Sequence, residues 1–249
     1  MKRVRFLAVL GAIGLFAAPT PSLAQFSSDQ TKAIEAIVRD YLMRRPEVLI
    51  EAIQAYEARE KLSKDHAAQA ALRGERKNLD ADPGDFTIGN PKGDVTVVEF
   101  FDYRCPYCKR AHAVVEALIK AEPGVRVVLK EFPILGPGSL LAARAAMAAR
   151  KQGKYRDMHD ALMASRGTID DEAVARIAGE KKLDLARLKR DMADPEIEAV
   201  LRRNHELARR LNISGTPAFV IGDAIAPGAM ELADMRTMVA EARAGCQSC

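Results

Sequence analysis

The sequence predicts an α/β domain with a helical block inserted into its sheet, preceded by a helical stalk. Three observations support this prediction. A strand-like run, Val95 to Phe101, leads directly into two cysteines and a helical pattern. Nearly all of Leu140 to Leu211 has helical periodicity, and a short apolar run, Ala218 to Ile221, follows it as a further strand. Ahead of these elements, the stretch from about Asp29 to Arg76 is helical in pattern and contains no glycine before Gly74.

The N terminus has the pattern of a secretory signal peptide. Lys2, Arg3 and Arg5 give it a charged start, Phe6 to Ala18 is continuously apolar, and Ser22-Leu23-Ala24 offers small residues for cleavage. The alternative is a membrane anchor, but the apolar run is shorter than the about 20 residues that a spanning helix needs. We therefore expect export and cleavage, with the mature protein in the periplasm, where disulfides can persist.

Charge and cysteine content narrow the class of protein. The formal net charge is +4, and three of the basic residues belong to the predicted signal peptide, which leaves +1 for the mature chain. That balance gives no support for a nucleic-acid or lipid partner. The four cysteines form two Cys-x-x-Cys pairs, Cys105/Cys108 and Cys246/Cys249. Because the mature chain is long enough to bury its own core, these cysteines do not indicate a disulfide-stabilised mini-protein.

We expect three regions along the chain. Residues 1–24 are the signal peptide, residues 25–82 are the helical stalk and linker, and residues 83–249 are the catalytic domain. The turn-rich stretch 80–85 marks the last boundary. The order of elements in the catalytic domain is β-α-β, a helical insertion at about 138–211, and then β-β-α. This is the order of a thioredoxin-type sheet interrupted by a helical block.

The predicted stalk has a narrow apolar face. Pro46 should separate two helices, and Leu62 to Asn78 either continues as an exposed helix or acts as a hinge. The apolar face must be buried, either against the main domain or in a bundle of several copies of the chain, and the pattern favours neither. The residues at helical spacing are Ile34, Ile37, Val38, Tyr41, Leu42, Val48, Leu49, Ala52, Ile53 and Tyr56.

Cys105 and Cys108 are the main candidates for chemistry. Cys105 falls where a strand ends and a helix begins, so unpaired N–H groups and the helix dipole stabilise an anion there. Since the thiolate is the nucleophilic form, Cys105 should be the exposed attacking sulfur and Cys108 the buried resolving one, with Pro106 at a first-turn position. The alternative is a zinc site, with Cys246 and Cys249 as further ligands. A Pro-Tyr pair after a hydrophobic strand favours redox chemistry.

Glu99 and Thr216-Pro217 complete the predicted site. Glu99 is a carboxylate in an apolar strand, and burial would raise its pKa and let it exchange a proton near the thiols. The alternative is a paired structural carboxylate. Thr216-Pro217 precedes a predicted buried strand, and a cis bond there would hold the backbone of Thr216 open to pair with a substrate strand. The alternative is a trans proline at the start of a strand.

Several motifs carry a resemblance to known proteins. Val98-Glu99-Phe100-Phe101 before Cys105-Pro106-Tyr107-Cys108, the helical insertion, and Gly215-Thr216-Pro217-Ala218-Phe219 resemble the DsbA-type thioredoxin-fold family. The helical stalk with Arg45-Pro46-Glu47-Val48, together with the stretch from Lys130 to Gly136, resembles more narrowly the ScsC proteins. Those are periplasmic disulfide proteins linked to copper tolerance.

The resemblance implies a thiol–disulfide oxidoreductase without a cofactor or a bound metal. Cys105 would be the nucleophile, Cys108 the resolving thiol, and Thr216-Pro217 the cis-proline loop. Relatives with such a stalk form trimers and act as disulfide isomerases, which implies a homotrimer through residues 29–76 with unfolded or misoxidised proteins as substrates. Threonine before the proline is shared with isomerases, and Tyr107 replaces the histidine of strong oxidases. An isomerase must be kept reduced, which implies a membrane thiol reductase as partner.

Two other functions remain as alternatives: a monomeric DsbA-like dithiol oxidase, and a copper(I)-binding chaperone. Cys246 and Cys249 lie outside the site pattern of the family, and they would form a local disulfide, a copper(I) site or a second redox relay. Three histidines lie on predicted helices of the catalytic domain, and they are interpreted as surface or core residues rather than ligands. They are His112, His159 and His205.

Overall fold

The computed structural model describes residues 26–245. The predicted signal peptide, residues 1–24, and the Cys246/Cys249 pair lie outside this range. The contacts divide the chain into two compact units, the first ending at Ala58 and the second beginning at Arg59. Over the described residues, no helix combines the length and the apolar character needed to cross a bilayer.

The first unit contains α1 (Ser28–Arg44) and the first part of α2 (Glu47–Asp80), which are separate helices as Pro46 predicts. A capping box starts α1: the Gln30 N–H donates to Ser27 Oγ at 3.3 Å, and the Ser27 N–H donates to Gln30 Oε1 at 2.9 Å. No residue of α1 is buried. The apolar face is therefore uncovered, and its large exposed side chains are Ile34, Ile37, Val38, Tyr41, Leu42, Leu49, Ile50, Ile53 and Tyr56.

The C-terminal part of α2 belongs to the second unit. Leu72 and Leu79 are 1% and 0% exposed, and they pack in a cluster with Val98 and Phe100 of the sheet. The stretch that follows Leu62 is therefore neither a hinge nor a fully exposed helix. The expected boundary lies at residue 82, whereas the contacts divide the chain between Ala58 and Arg59. The sequence does not indicate that the end of α2 packs on the sheet, because two leucines seven residues apart do not define a buried helix face.

Leu79→Ala should lower the stability of the second unit, because Leu79 packs in its core. Removing a fully buried leucine side chain leaves a cavity and costs about 2–5 kcal/mol of unfolding free energy. Leu62→Ala is the matched control, because Leu62 lies on the same helix and is exposed, and its effect should stay within about 0.5 kcal/mol. Urea denaturation followed by circular dichroism measures both. Equal effects of the two substitutions would contradict the packing of α2 on the sheet.

Among the described residues the sheet has five strands: β1 (Phe86–Gly89), β2 (Val95–Phe101), β3 (Val125–Glu131), β4 (Ala218–Ile221) and β5 (Ala224–Pro227). Their order in the sheet is β1-β3-β2-β4-β5. β2 and β3 are parallel and joined by α3 (Pro106–Ala121), and the other pairs are antiparallel. This is the predicted thioredoxin-type arrangement with one added edge strand. Phe86 to Gly89 was not predicted as a strand because four residues show too little alternation.

The insertion between β3 and β4 contains five helices, and it covers the stretch for which the sequence predicts helical periodicity. Asp170 and Asp184 cap two of them by accepting hydrogen bonds from Ala173 N–H and Arg187 N–H, both at 2.9 Å. A last helix, α9 (Leu232–Gly245), follows the sheet. The helices of the insertion are α4 (Pro137–Arg150), α5 (Tyr155–Ala164), α6 (Asp171–Glu180), α7 (Leu185–Asp191) and α8 (Pro195–Arg210).

The two faces of β2 contribute to two separate cores. Val97 and Phe101 pack in the cluster that contains Cys105, Cys108 and most of the insertion. Val98 and Phe100 pack in the cluster formed with the end of α2. Because side chains alternate along a strand, Glu99 shares the face of Val97 and Phe101. The carboxylate of Glu99 therefore lies on the α3 side of the sheet.

Candidate active site

Cys105 is the N-cap residue of α3, and Pro106 is the first residue of that helix. The cysteine has extended backbone angles, φ −74° and ψ 117°, and its side chain makes no capping bond to the helix. The N–H groups of the first turn are consequently available to stabilise a negative charge on the sulfur. Sγ instead donates to the backbone oxygen of Thr216 at 3.2 Å.

Both cysteines are reduced, and both are buried. Cys105 is 4% exposed and Cys108 is 0% exposed. Cys105 is the more exposed of the two, as predicted. It is nevertheless not an openly exposed thiol, because the backbone of Thr216 lies against its sulfur. Burial raises the pKa of the Cys108 thiol well above its usual value, and negative charge on Glu99 or Cys105 raises it further. Cys108 therefore remains protonated until a base accepts its proton.

The loop before β4 carries the predicted cis peptide bond, between Thr216 and Pro217. The oxygen of Pro217 accepts a hydrogen bond from the Gly228 N–H at 2.8 Å, which ties this loop to the chain beyond β5. The loop thus sets the Thr216 carbonyl against Cys105. The trans alternative for this proline is not what the structure shows.

Glu99 sits in the middle of the sheet, opposite Leu129 on β3 and Phe219 on β4. It is 2% exposed, and its Oε1 has no hydrogen-bond partner in the described chain. Burial raises the pKa of the carboxyl from 4.5 to about 8. A proton-exchanging carboxylate fits this environment better than a paired structural one, because no cation contributes to the shift.

The pKa of Glu99 predicts how stability depends on pH. As the pH rises past 4.5 the unfolded chain loses this proton, while the folded protein keeps it until about 8. The free energy of unfolding therefore falls across that interval and the loss is complete above it. Glu99→Gln removes this titration. The free energy of unfolding of the variant minus that of the wild type should therefore increase by a few kcal/mol from pH 5 to pH 9.

Urea denaturation at the two pH values measures this difference. Glu206→Gln replaces an exposed glutamate on α8 and should leave the pH dependence unchanged. A pH dependence of stability that is the same in the wild type and in Glu99→Gln would show that Glu99 ionises normally in the folded protein.

A groove of about 750 Å³ opens along Tyr107 and the cis-proline loop, whose Thr216 carbonyl contacts Cys105. Its walls include Tyr107 and Arg110 of α3, the cis-proline loop, and Ile225 of β5. Tyr107 is 55% exposed, and the Arg110 guanidinium lies over its ring, 4.4 Å from the centroid. An extended peptide fits a groove that runs past a sheet edge and an exposed aromatic ring. The sequence analysis included Tyr107 but missed Arg110, although the spacing of three residues on one helix was a signal that the two side chains are neighbours.

Asp102 is a second residue that the sequence analysis missed. Its Oδ1 accepts a hydrogen bond from Arg104 N–H at 2.7 Å. Its Oδ2 accepts from the N–H groups of Ile134 and Leu135 at 2.8 and 3.0 Å. The buried carboxylate thereby joins the turn before Cys105 to the loop after β3. In the sequence, only its position three residues before Cys105 indicated that Asp102 belongs to the site.

A buried polar network lies on the α3 side of the sheet, the side on which Glu99 lies. The hydroxyl groups of Tyr103 and Tyr155 both donate to Oε1 of Glu131 at 2.8 Å, and Asn204 donates to the Glu131 backbone oxygen at 3.1 Å. Burial raises the pKa of the Glu131 carboxyl to about 8. The sequence analysis did not anticipate this network, because its members come from β3, α5, α8 and the loop after β2.

The fold and the paired cysteines define a thioredoxin-fold protein with a Cys-x-x-Cys site. Comparison with known families agrees: residues 96–240 match the family described as "DSBA-like thioredoxin domain", and residues 30–61 match "Copper resistance protein ScsC N-terminal domain". The first match covers more than half of the chain, and the chain belongs to the DSBA-like thioredoxin-domain family. The resemblance inferred from the motifs is confirmed.

Solved structures and curated sequences include proteins that are similar to this chain. A thioredoxin-like oxidoreductase from Silicibacter pomeroyi DSS-3 is 50% identical, with a TM-score of 0.67, covering 68% of this chain and 98% of its own. Proteus mirabilis ScsC is 33% identical, with a TM-score of 0.65, covering 90% and 99%. The Na(+)/H(+) antiporter NhaA 3 of Salinispora tropica is 34% identical over 55% of this chain, which spans only 21% of the antiporter's length.

Proposed function

We propose that the protein is a periplasmic thiol–disulfide oxidoreductase that acts as a trimeric disulfide isomerase or reductase on misoxidised exported proteins. The observation that carries the redox activity is the position of Cys105 at the N terminus of α3, with Cys108 buried one turn behind it. Glu99 on the α3 side of the sheet and the cis bond before Pro217 supply the proton acceptor and the peptide-binding loop.

The first step is attack by the Cys105 thiolate on a substrate disulfide. A bond forms between Cys105 Sγ and one substrate sulfur, and the substrate S–S bond breaks, so that the other sulfur leaves as a thiolate. The first-turn N–H groups of α3 stabilise the attacking thiolate. The Thr216 carbonyl lies next to Sγ, where the backbone of a bound peptide would run beside the cis-proline loop.

The mixed disulfide is resolved in one of two ways. A second substrate thiolate can displace Cys105 and leave a rearranged substrate, which is isomerisation. Alternatively, Cys108 transfers its proton to the Glu99 carboxylate and attacks Cys105, which releases the reduced substrate and leaves the Cys105–Cys108 disulfide. Because the pKa of Glu99 is about 8, a fraction of this buried group is ionised near neutral pH and can accept that proton. Glu99→Gln should slow the second route and spare the first.

Isomerisation depends on a reduced site and on several sites near one client. Repeated attack requires the Cys105–Cys108 pair to be kept reduced, so a membrane thiol reductase is the proposed partner. The uncovered apolar face of the first unit supports association of three chains, and the solved ScsC relative that covers 90% of this chain includes the corresponding region. The predicted signal peptide supports export to the periplasm.

Paired ribonuclease assays test this proposal. With a reducing buffer, the mature chain should reactivate scrambled ribonuclease faster than the buffer alone. A dithiol oxidase would instead accelerate oxidation of reduced ribonuclease without reactivating the scrambled enzyme. The isomerase proposal fails if only oxidation is accelerated. The redox proposal as a whole fails if neither reaction is accelerated.

Copper(I) binding is a second candidate function. The match of residues 30–61 to a domain described as copper resistance protein ScsC favours it, and thiolates are ligands that select copper(I). A copper(I) chaperone would bind the ion through Cys105 and Cys108 without accelerating either ribonuclease reaction. Competition with a copper(I) chelator, using the wild type and Cys105→Ser/Cys108→Ser, separates the two functions.

A further inference from the structure

His112, His159 and Asp160 lie together where α3 packs against α5. One donor atom from each of the three residues lies within 4.8 Å of the others. The two imidazole rings have centroids 5.1 Å apart, and His112 Nε2 lies 3.4 Å from Asp160 Oδ1. We propose that these three residues bind a divalent transition-metal ion, with zinc as the type, and that the ion ties α3 to the helical insertion. The sequence analysis gave neither histidine a ligand role.

The surroundings of His159 leave one ring nitrogen free to bind a metal ion. The Tyr103 hydroxyl has one hydrogen, and it donates this hydrogen to Glu131 at 2.8 Å. The 3.0 Å contact between Tyr103 Oη and His159 Nδ1 therefore places the imidazole hydrogen on Nδ1. The lone pair is then on Nε2. A histidine that binds a metal through one nitrogen and donates through the other to a hydrogen-bonded oxygen is typical of metal sites.

The Asp160 carboxylate has one oxygen engaged and one available. Oδ2 accepts a hydrogen bond from Arg156 Nε at 2.8 Å. Oδ1 is buried and has no hydrogen-bond partner within the described chain. A buried acceptor without a partner carries a desolvation cost, and a bound cation would satisfy it. The arginine that holds Oδ2 also orients the carboxylate toward His112.

The local charge also favours a cation. Arg156 lies between two carboxylates, Asp160 at 2.8 Å and Glu116 at 2.6 Å. Two negative groups facing one guanidinium leave a net charge of about −1 when the imidazoles are neutral. The cluster is therefore not neutralised by the arginine, and a divalent ion held by neutral histidines would meet an attractive potential.

The donor set determines the class of metal. Two imidazole nitrogens and one carboxylate oxygen are the ligand types found in three-ligand sites of zinc. No thiolate is included, so copper(I) is not the expected occupant. His112 follows Cys108 by one helical turn, about 6 Å along the axis. The proposed site is thus distinct from the thiols and should bind metal when they are oxidised.

Titration of oxidised protein with zinc tests the proposal. The mature full-length chain is oxidised until no free thiol reacts with a thiol reagent, so that cysteine ligands are blocked, and zinc chloride is added in a calorimeter. We expect one zinc ion per chain. His112→Ala and Asp160→Asn should each weaken the affinity by more than about tenfold. His205→Ala, which removes an exposed histidine on α8, should leave it unchanged.

Two further measurements exclude trivial explanations. Circular dichroism and thermal unfolding without metal confirm that each variant is folded. Cobalt(II) added to the oxidised wild type should give visible absorption bands without a thiolate charge-transfer band, and His112→Ala should lose them. Absence of zinc binding to the oxidised wild type would overturn the proposal. So would zinc binding that both folded variants retain at full affinity.

Discussion

Replacing Cys105 by serine should abolish both reactivation of scrambled ribonuclease and reduction of substrate disulfides, whereas replacing Cys108 should leave substrates attached to the protein. Cys105 is the cysteine at the helix N terminus, and the N–H groups there stabilise its thiolate. Cys108 is fully buried, and burial raises the pKa of its thiol, so it cannot replace Cys105 as the attacking group. Without Cys108, only a substrate thiol can displace the mixed disulfide.

Non-reducing gel electrophoresis after mixing with scrambled ribonuclease separates the two variants. Cys108→Ser should give a covalent adduct that disappears on reduction, and Cys105→Ser should give none. Cys108→Ser should also keep part of the isomerase activity, because isomerisation does not need the resolving thiol. An adduct formed by Cys105→Ser would assign the nucleophile to another cysteine.

Two carboxylates on the apolar face of the first unit should convert the proposed trimer into a monomer and abolish isomerisation. Ile34→Asp/Ile53→Asp places one charge on α1 and one on α2, at side chains that are exposed in the single chain. In a trimer those positions would be buried, and an unpaired buried carboxylate costs far more than the lost apolar contact. Reduction of substrate disulfides should persist, since the thiol site belongs to the second unit.

Light scattering coupled to gel filtration measures the mass of each variant. Thr31→Asp/Gln54→Asp is the control, because it adds the same two charges at exposed polar positions of the same unit, and it should remain trimeric. A wild type that is monomeric at all concentrations would refute the oligomer. A trimeric Ile34→Asp/Ile53→Asp variant would place the interface elsewhere.

A truncation that tests association should keep the end of α2, because this part of the helix packs in the second unit. A deletion of residues 25–82 would remove Leu72 and Leu79, which are part of the core beneath the sheet, and would confuse loss of association with unfolding. A deletion of residues 25–58 removes only the first unit. The shorter deletion should give a stable monomer that retains reduction of substrate disulfides and loses isomerisation.

Much of the fold could be predicted because its signals are local. The run from Val95 to Phe101 is apolar on both faces, as a central strand must be, and the amphipathic stretches of the insertion each span several turns. Phe86 to Gly89 escaped prediction because its pairing with β3 is set by the partner strand, not by its own four residues. Leu72 and Leu79 escaped prediction because two buried positions do not define a face.

The class of chemistry can be derived from the sequence alone: a Cys-x-x-Cys pair at a strand-to-helix junction, with a carboxylate in the preceding strand and a proline before a later one. The surroundings of those groups depend on tertiary contacts. The Thr216 carbonyl meets Cys105 across 111 residues of sequence, and His112 and His159 come together because α3 packs against α5. Strand and helix patterns reflect interactions between near neighbours in the chain. Contacts between distant segments depend on how all the elements pack, which no local pattern encodes.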